Sequence, residues 1–158
     1  MQRRHFVLAT AVLPLSTSPV AWAHHGWSSF DPERPIYLEG RVASARWQNP
    51  HAELILDVPA DLRLPADLAR RPLPAQSAPV DGPALLAKAV TPTRKDTRWE
   101  LELAPLTRMN AWRIGEIKPG ASVAAVGFTF KEEKGDAVMR VEYLFVDGKV
   151  YGLRSNPA

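Results

Sequence analysis

The sequence predicts a mainly β fold: a small five-stranded antiparallel barrel of the OB type with one short helix between strands 3 and 4. Three observations lead there. Apolar residues recur with a period near two in separate stretches of the chain. A single helical pattern falls between the third and fourth of these stretches, the order expected of an OB barrel. There is no cysteine, so stability must come from burial rather than from disulfides. The alternative arrangement is an open antiparallel sandwich whose short helix covers an edge.

The elements follow in order. Residues 1–23 read as an export leader, with a basic start (Arg3, Arg4), an apolar core from Phe6 to Leu15 and the small-x-small cleavage site Ala21-Trp22-Ala23. Arg3-Arg4-His5-Phe6-Val7-Leu8 resembles a twin-arginine signal, with general secretion as the competing route. The apolar core is shorter than the ~20 residues a bilayer span requires, so no membrane span is expected. Cleavage would leave residues 24–158 as one domain, periplasmic or secreted. After an irregular lead-in pinned by Trp27 and Phe30, strand signals run from Ile36 to Val58, interrupted by the turn signal Asn49-Pro50.

Residues 59–96 hold seven prolines and no sustained period, which reads as a long surface insertion with helical turns at 66–71 and 84–89. Alternation resumes at Arg98 to Leu103, with Trp99, Leu101 and Leu103 on one face. Thr107 is placed to cap a helix from Arg108 to Ile114 that turns Met109 and Trp112 toward the core. Lys118-Pro119-Gly120 then leads to strands at 122–130 and 138–146, and Val150 to Leu153 forms a weak final extension.

Charge narrows the functional classes. Of the 20 basic and 17 acidic residues, the leader removes Arg3 and Arg4 alone, so the mature chain carries 18 against 17 and a formal charge of +1. That near-neutral balance lacks the basic surplus used to bind a phosphate backbone, and no nucleic-acid partner is expected. Without cysteine, any metal must be held by nitrogen and oxygen ligands.

Several segments together resemble a family of small exported bacterial proteins known only as domain of unknown function 6152. They are Ala23-His24-His25, Phe30, Leu38-Glu39-Gly40-x-Val42, Trp47-x-Asn49-Pro50-His51, the strand from Trp99 to Leu103, and Lys118-Pro119-Gly120. The resemblance implies an exported small β domain and brings no established activity. Two departures stand out: Gly26-Trp27 replaces the usual Ser after His-His, and the 59–96 connection is far longer than typical.

Cleavage after Ala23 would make His24 the mature amino terminus, and the only other histidines of the mature chain are His25 and His51. A terminal histidine chelates through its α-amine and its ring nitrogen, and a second imidazole opposite completes a three-nitrogen set suited to Cu(II). The preferred site is therefore His24 with His51, and His25 is an auxiliary or alternative ligand. Three imidazoles around zinc, with water in the fourth position, form a competing arrangement. Glu39, Glu53 and Asp57 are candidate oxygen donors, whereas Met109 and Met139 are expected in the core.

The first functional reading is thus a periplasmic metal-binding protein, copper before zinc. The second is a non-catalytic OB-type module that binds a protein or carbohydrate, with Trp27, Trp47 and Trp112 as ligand-face candidates and the insertion as a further protein-binding surface. The third is a small copper oxidoreductase. No Ser/His/acid set and no phosphate loop is apparent, which weighs against an enzyme.

Overall fold

The computed structural model describes residues 27–158. Six strands form the frame: β1 (Ile36–Arg46), β2 (Glu53–Asp57), β3 (Arg98–Glu102), β4 (Ser122–Phe128), β5 (Val138–Val146) and β6 (Lys149–Gly152). Two helices accompany them, α1 (Gly82–Lys88) inside the insertion and α2 (Leu106–Ala111) between β3 and β4. Antiparallel pairing joins β3 to β2, β2 to β1, β1 to β4 and β4 to β5, and β3 lies parallel to β5. This last contact closes a five-stranded barrel in the order β1-β2-β3-β5-β4.

The barrel is therefore mixed rather than wholly antiparallel. The reason is topological: three strands run as a meander, α2 crosses the barrel end, and β5 then returns along β3 in the same direction. The closing strand is followed by a hairpin. Asp147 and Gly148 both take positive φ (51° and 70°), the geometry of a two-residue turn that matches strand twist, so Val150-Tyr151 pairs back onto β5 as part of β6.

Alternation explains the interior. Leu38 and Val42 of β1, Leu54 and Leu56 of β2, Trp99 and Leu101 of β3, Val123 and Ala125 of β4, and Met139, Val141 and Leu144 of β5 share one buried cluster. Met109 of α2 joins it and is fully buried, so the helix plugs the barrel as an apolar stopper. Both methionines thus lie in the core, as expected. Closure also demands close backbone approach. A Cβ on Gly40 would stand 2.0 Å from the Asp57 carbonyl oxygen, and one on Gly127 would stand 2.2 Å from that of Arg140. Bulges at Ala43 and Glu142 bend β1 and β5 where their registers slip by one residue.

The helix differs from its sequence expectation at both ends. Thr107 lies inside α2 and does not cap it; the N-cap position is Pro105, and the Leu106 N–H donates instead to Asn49 Oδ1 at 3.3 Å. The cap comes from a distant turn, which no local pattern can reveal. At the other end Arg113 takes φ 57° and Ile114 N–H returns to the Met109 carbonyl, ending the helix before Ile114.

The insertion is folded onto the barrel. Leu68, Leu86 and Ala89 bury against the outer side of β1, β4 and β5, where Tyr37, Ala124, Val126 and Tyr143 form a second apolar cluster. Asp81 caps α1 by accepting from Ala84 N–H at 3.1 Å, and Pro83 fits the first turn because its missing N–H has no partner to lose there. Residues 75–78 pair with the chain end through Ser77 N–H to Asn156 O (3.0 Å) and Ala158 N–H to Ala75 O (3.2 Å). Among the described residues no helix is long and apolar enough to cross a membrane.

Candidate functional site

The outer side of β1, β2, β3 and β5 carries charge in rows that the strand register sets. In the first row Arg140, Glu102, Glu53 and Arg46 stand opposite one another on β5, β3, β2 and β1. Arg140 holds Glu102 with Nη2 at 2.9 Å, and Arg46 Nε holds Glu53 at 2.9 Å. In the third row Arg98, Asp57 and Arg41 face one another, and Arg98 Nε donates to Asp57 at 2.8 Å. The row between them reads Val138, Glu100, Ile55, Ser44 and contains a single charge. Burial, followed by the neighbouring Glu53 and Glu102 carboxylates, raises the Glu100 carboxyl above the ordinary carboxylate range. Over the three rows Arg140, Arg46, Arg98 and Arg41 equal Glu102, Glu53, Asp57 and Glu100 in number, so the rows carry no net charge.

His51 stands at the rim of the first row, two residues before Glu53, and is half-buried. Its backbone is held firmly on either side. Asn49, joined to Pro50 by a cis bond, caps α2, while Ala52 N–H donates to Ala104 O at 3.0 Å and Ala52 O accepts from Leu103 N–H at 2.9 Å. Trp47, also half-buried, packs against the main core just after β1. The Trp-x-Asn-Pro-His segment thus forms a braced corner between β1, β2 and α2.

The lead-in reaches the same side of the barrel. The Phe30 ring lies 5.0 Å from the Arg140 guanidinium and 4.9 Å from the Phe130 ring, Asp31 N–H donates to Thr129 O at 2.9 Å, and Arg34 pairs with Glu133. Burial alone would raise the Glu133 carboxyl, but the N–H groups of Thr93 and Arg94 and the Arg34 guanidinium overcome it, and the net shift is downward. Arg94 then donates to the carbonyls of Glu133, Gly135 and Asp136, so the β4–β5 turn, the lead-in and the insertion's end are clamped together. This clamp joins segments that are 39 to 42 residues apart and more, and nothing local in the sequence signals it.

The remaining candidates fall elsewhere or outside the described residues. His24 and His25 precede residue 27, and for Trp27 only the short backbone turn Trp27–Ser29 is described. Trp112, at the end of α2, uses its indole N–H on the Ser155 carbonyl at 2.8 Å and meets Tyr151 edge-on at 6.3 Å, which fastens the C-terminal segment. The three carboxylates considered as oxygen donors are all engaged: Glu39 accepts from the Tyr37 phenol at 2.5 Å, Glu53 pairs with Arg46, and Asp57 with Arg98. Among the described residues, which include His51 as their one histidine, no three His, Asp or Glu side chains converge as metal ligands. No motif marks Glu100 and Glu102, although the alternation that buries Trp99 and Leu101 turns them outward.

The sequence profile of a family of unknown function (DUF6152) matches residues 12–63, a span that includes His24-His25, Phe30, Leu38-Glu39-Gly40 and Trp47 to His51. The resemblance drawn from those segments holds over that part of the chain. No curated protein and no solved structure matches the chain.

Proposed function

We propose that the protein is an exported metal-binding protein, for copper before zinc, whose site forms when the leader is removed after Ala23. In this reading His24 supplies its α-amine and ring, His51 supplies a second imidazole, and His25 is an auxiliary or alternative ligand. The observation that carries it is the position of Phe30. Its ring stacks on Arg140, which begins the row that runs through Glu102 to Glu53, two residues from His51.

With strands about 4.8 Å apart and about 3.3 Å per residue along each, Arg140 and the His51 backbone lie about 12 Å apart. Phe30 follows His24 by six positions, three of them the helical turn Trp27–Ser29, so at about 2.0 Å per residue in that turn and about 3.3 Å per residue elsewhere the segment can span about 16 Å. The terminus can therefore reach His51 without disturbing the barrel. The braced backbone on either side of His51 fixes where its side chain leaves the barrel, which lowers the entropic cost of ligation there.

The test is a titration of protein that begins at His24. It should bind one Cu(II) with a nitrogen-rich paramagnetic spectrum. His51→Ala should weaken binding at least tenfold, and an extra residue ahead of His24 should do the same because it removes the terminal chelate. Unchanged affinity in the extended protein would exclude a site built on the amino terminus.

A further inference from the structure

Between residues 71–83 of the insertion and β5 lies a pocket of about 510 Å³, within the range of about 300–1,000 Å³ usual for small-ligand sites. The rings of Pro72, Pro74, Pro79 and Pro83, with Leu73 and Val80, supply an apolar wall, and the fixed φ of proline makes it rigid. Two polar side chains line it as well, Gln76 and Tyr143. Gln76 Oε1 accepts from Ser155 N–H at 3.2 Å, which leaves Nε2 as the donor end, buried and without a hydrogen-bond partner. Tyr143 is 2% exposed, and burial, opposed by the Gln76 amide and assisted by the Glu142 carboxylate, raises its phenol above the ordinary range. The phenol therefore stays protonated, and no acceptor among the described residues takes its O–H. Two glycines make room for this pair. A Cβ on Gly82 would stand 2.4 Å from the Tyr143 oxygen, and one on Gly152, opposite Tyr143 in the β5–β6 pairing, would stand 2.3 Å from Gln76 Cδ.

We propose that this pocket binds a small neutral molecule that carries a carbonyl oxygen on an apolar body. A carbonyl oxygen has two lone pairs and can take both the Tyr143 O–H and a Gln76 N–H, while the prolines enclose the body. Charge selects against the alternatives. No Asp or Glu lines the pocket, so an ammonium group would lose its water without gaining a counter-charge. Arg71, the one ionised group of the wall, already donates to Asp67 from Nε at 3.1 Å and Nη2 at 3.3 Å, so an anion finds no surplus positive charge. A hydrocarbon would leave both donors unmet.

The probe is cyclohexyl methyl ketone, titrated into protein spanning residues 24–158 and followed by amide chemical shifts. Expected is saturable binding that shifts residues 75, 76, 78, 80, 82 and 143. It should be about fivefold tighter than binding of isopropenylcyclohexane, in which a methylene replaces the oxygen. Cyclohexanecarboxylate and 1-cyclohexylethylammonium, the anion and cation of the same shape, should bind more weakly than the ketone by at least the same factor. Tyr143→Phe, which removes the hydroxyl alone, should cut ketone affinity about fivefold and leave that of the hydrocarbon unchanged. Gln76→Glu, which keeps an acceptor for Ser155 N–H, should also cut ketone affinity. Absence of saturable binding, shifts confined to other residues, equal affinity for ketone and hydrocarbon, tighter binding of either ion, or unchanged ketone affinity in Tyr143→Phe would each overturn the proposal. No metal enters the titration, so this inference stands or falls apart from the copper reading.

Discussion

The two sides of the barrel solve the same problem in opposite ways. Around the N-terminal half of β1, with β4 and β5, the outward residues Tyr37, Ala124, Val126 and Tyr143 are apolar or aromatic and lie under Leu68, Leu86 and Ala89 of the insertion. Around the C-terminal half of β1, with β2 and β3, the outward residues are Arg46, Glu53, Glu100 and Glu102, of which Glu53 pairs with Arg46 and Glu102 with Arg140 of β5. One side has gained a second core under the insertion. The other retains half-buried charge and an imidazole at its rim. Stability is concentrated on the first, and paired charge on the second.

The substitution expected to break the comparison most severely is Gly40→Ala, because β1 changes partner there: residues 36–41 pair with β4 and 41–46 with β2. A Cβ placed 2.0 Å from the Asp57 carbonyl must force the strands apart, so a loss of about 3 kcal/mol is expected in urea unfolding, with both sides affected together. Leu86→Ala comes next and addresses the covered side alone. Removing a fully buried leucine should cost about 2–4 kcal/mol and lower the unfolding midpoint of the whole barrel. A midpoint that does not move would mean the insertion contributes nothing to the fold.

Two acids sharpen the contrast through pH. The Glu133 carboxyl is depressed in the folded protein, so its contribution is present above the ordinary carboxylate range and is lost as pH falls through the folded value. Glu133→Gln should therefore destabilise by about 1–2 kcal/mol at neutral pH, with a difference that shrinks in acid as wild type loses the same interactions. Glu100 is raised, so ionising it works against the folded state above its folded value, and that penalty disappears below the ordinary carboxylate range. Glu100→Gln is expected to stabilise by a few tenths of a kcal/mol at neutral pH and by nothing near pH 3, as measured by thermal unfolding across pH. Destabilisation at neutral pH would show that Glu100 already has a stabilising partner.

Much of the frame was legible because barrel strands advertise themselves by alternation. Trp99 and Leu101 point inward and Glu100 and Glu102 outward for the same reason, and β5 runs from Val138 to Val146 as its pattern implies. The parallel closure of β3 on β5 was not legible, since a pairing between residues 38 apart leaves no local mark. The helical turns expected at 66–71 and 84–89 overlap those at Leu68–Arg70 and Gly82–Lys88, but the packing of the insertion was not legible, since Leu68, Leu86 and Ala89 follow no shared period. At the candidate site, the position of His51 beside a turn could be read directly. The Asn49 contact that braces it could not, because its recipient, Leu106, lies 57 residues away.

The bond from Val58 N–H to Thr97 O, at 2.8 Å, continues the β2–β3 ladder just beyond the Asp57–Arg98 pair. The insertion therefore leaves and re-enters the barrel at neighbouring points, as a long excursion from what would otherwise be a hairpin turn. A gain of sequence at such a point shifts no strand register, so a simpler barrel could acquire this segment in one event and remain folded while its outer surface adapted. Deleting it would keep the β2–β3 ladder but uncover Tyr37 and Tyr143, so the join is separable in topology while the burial is not.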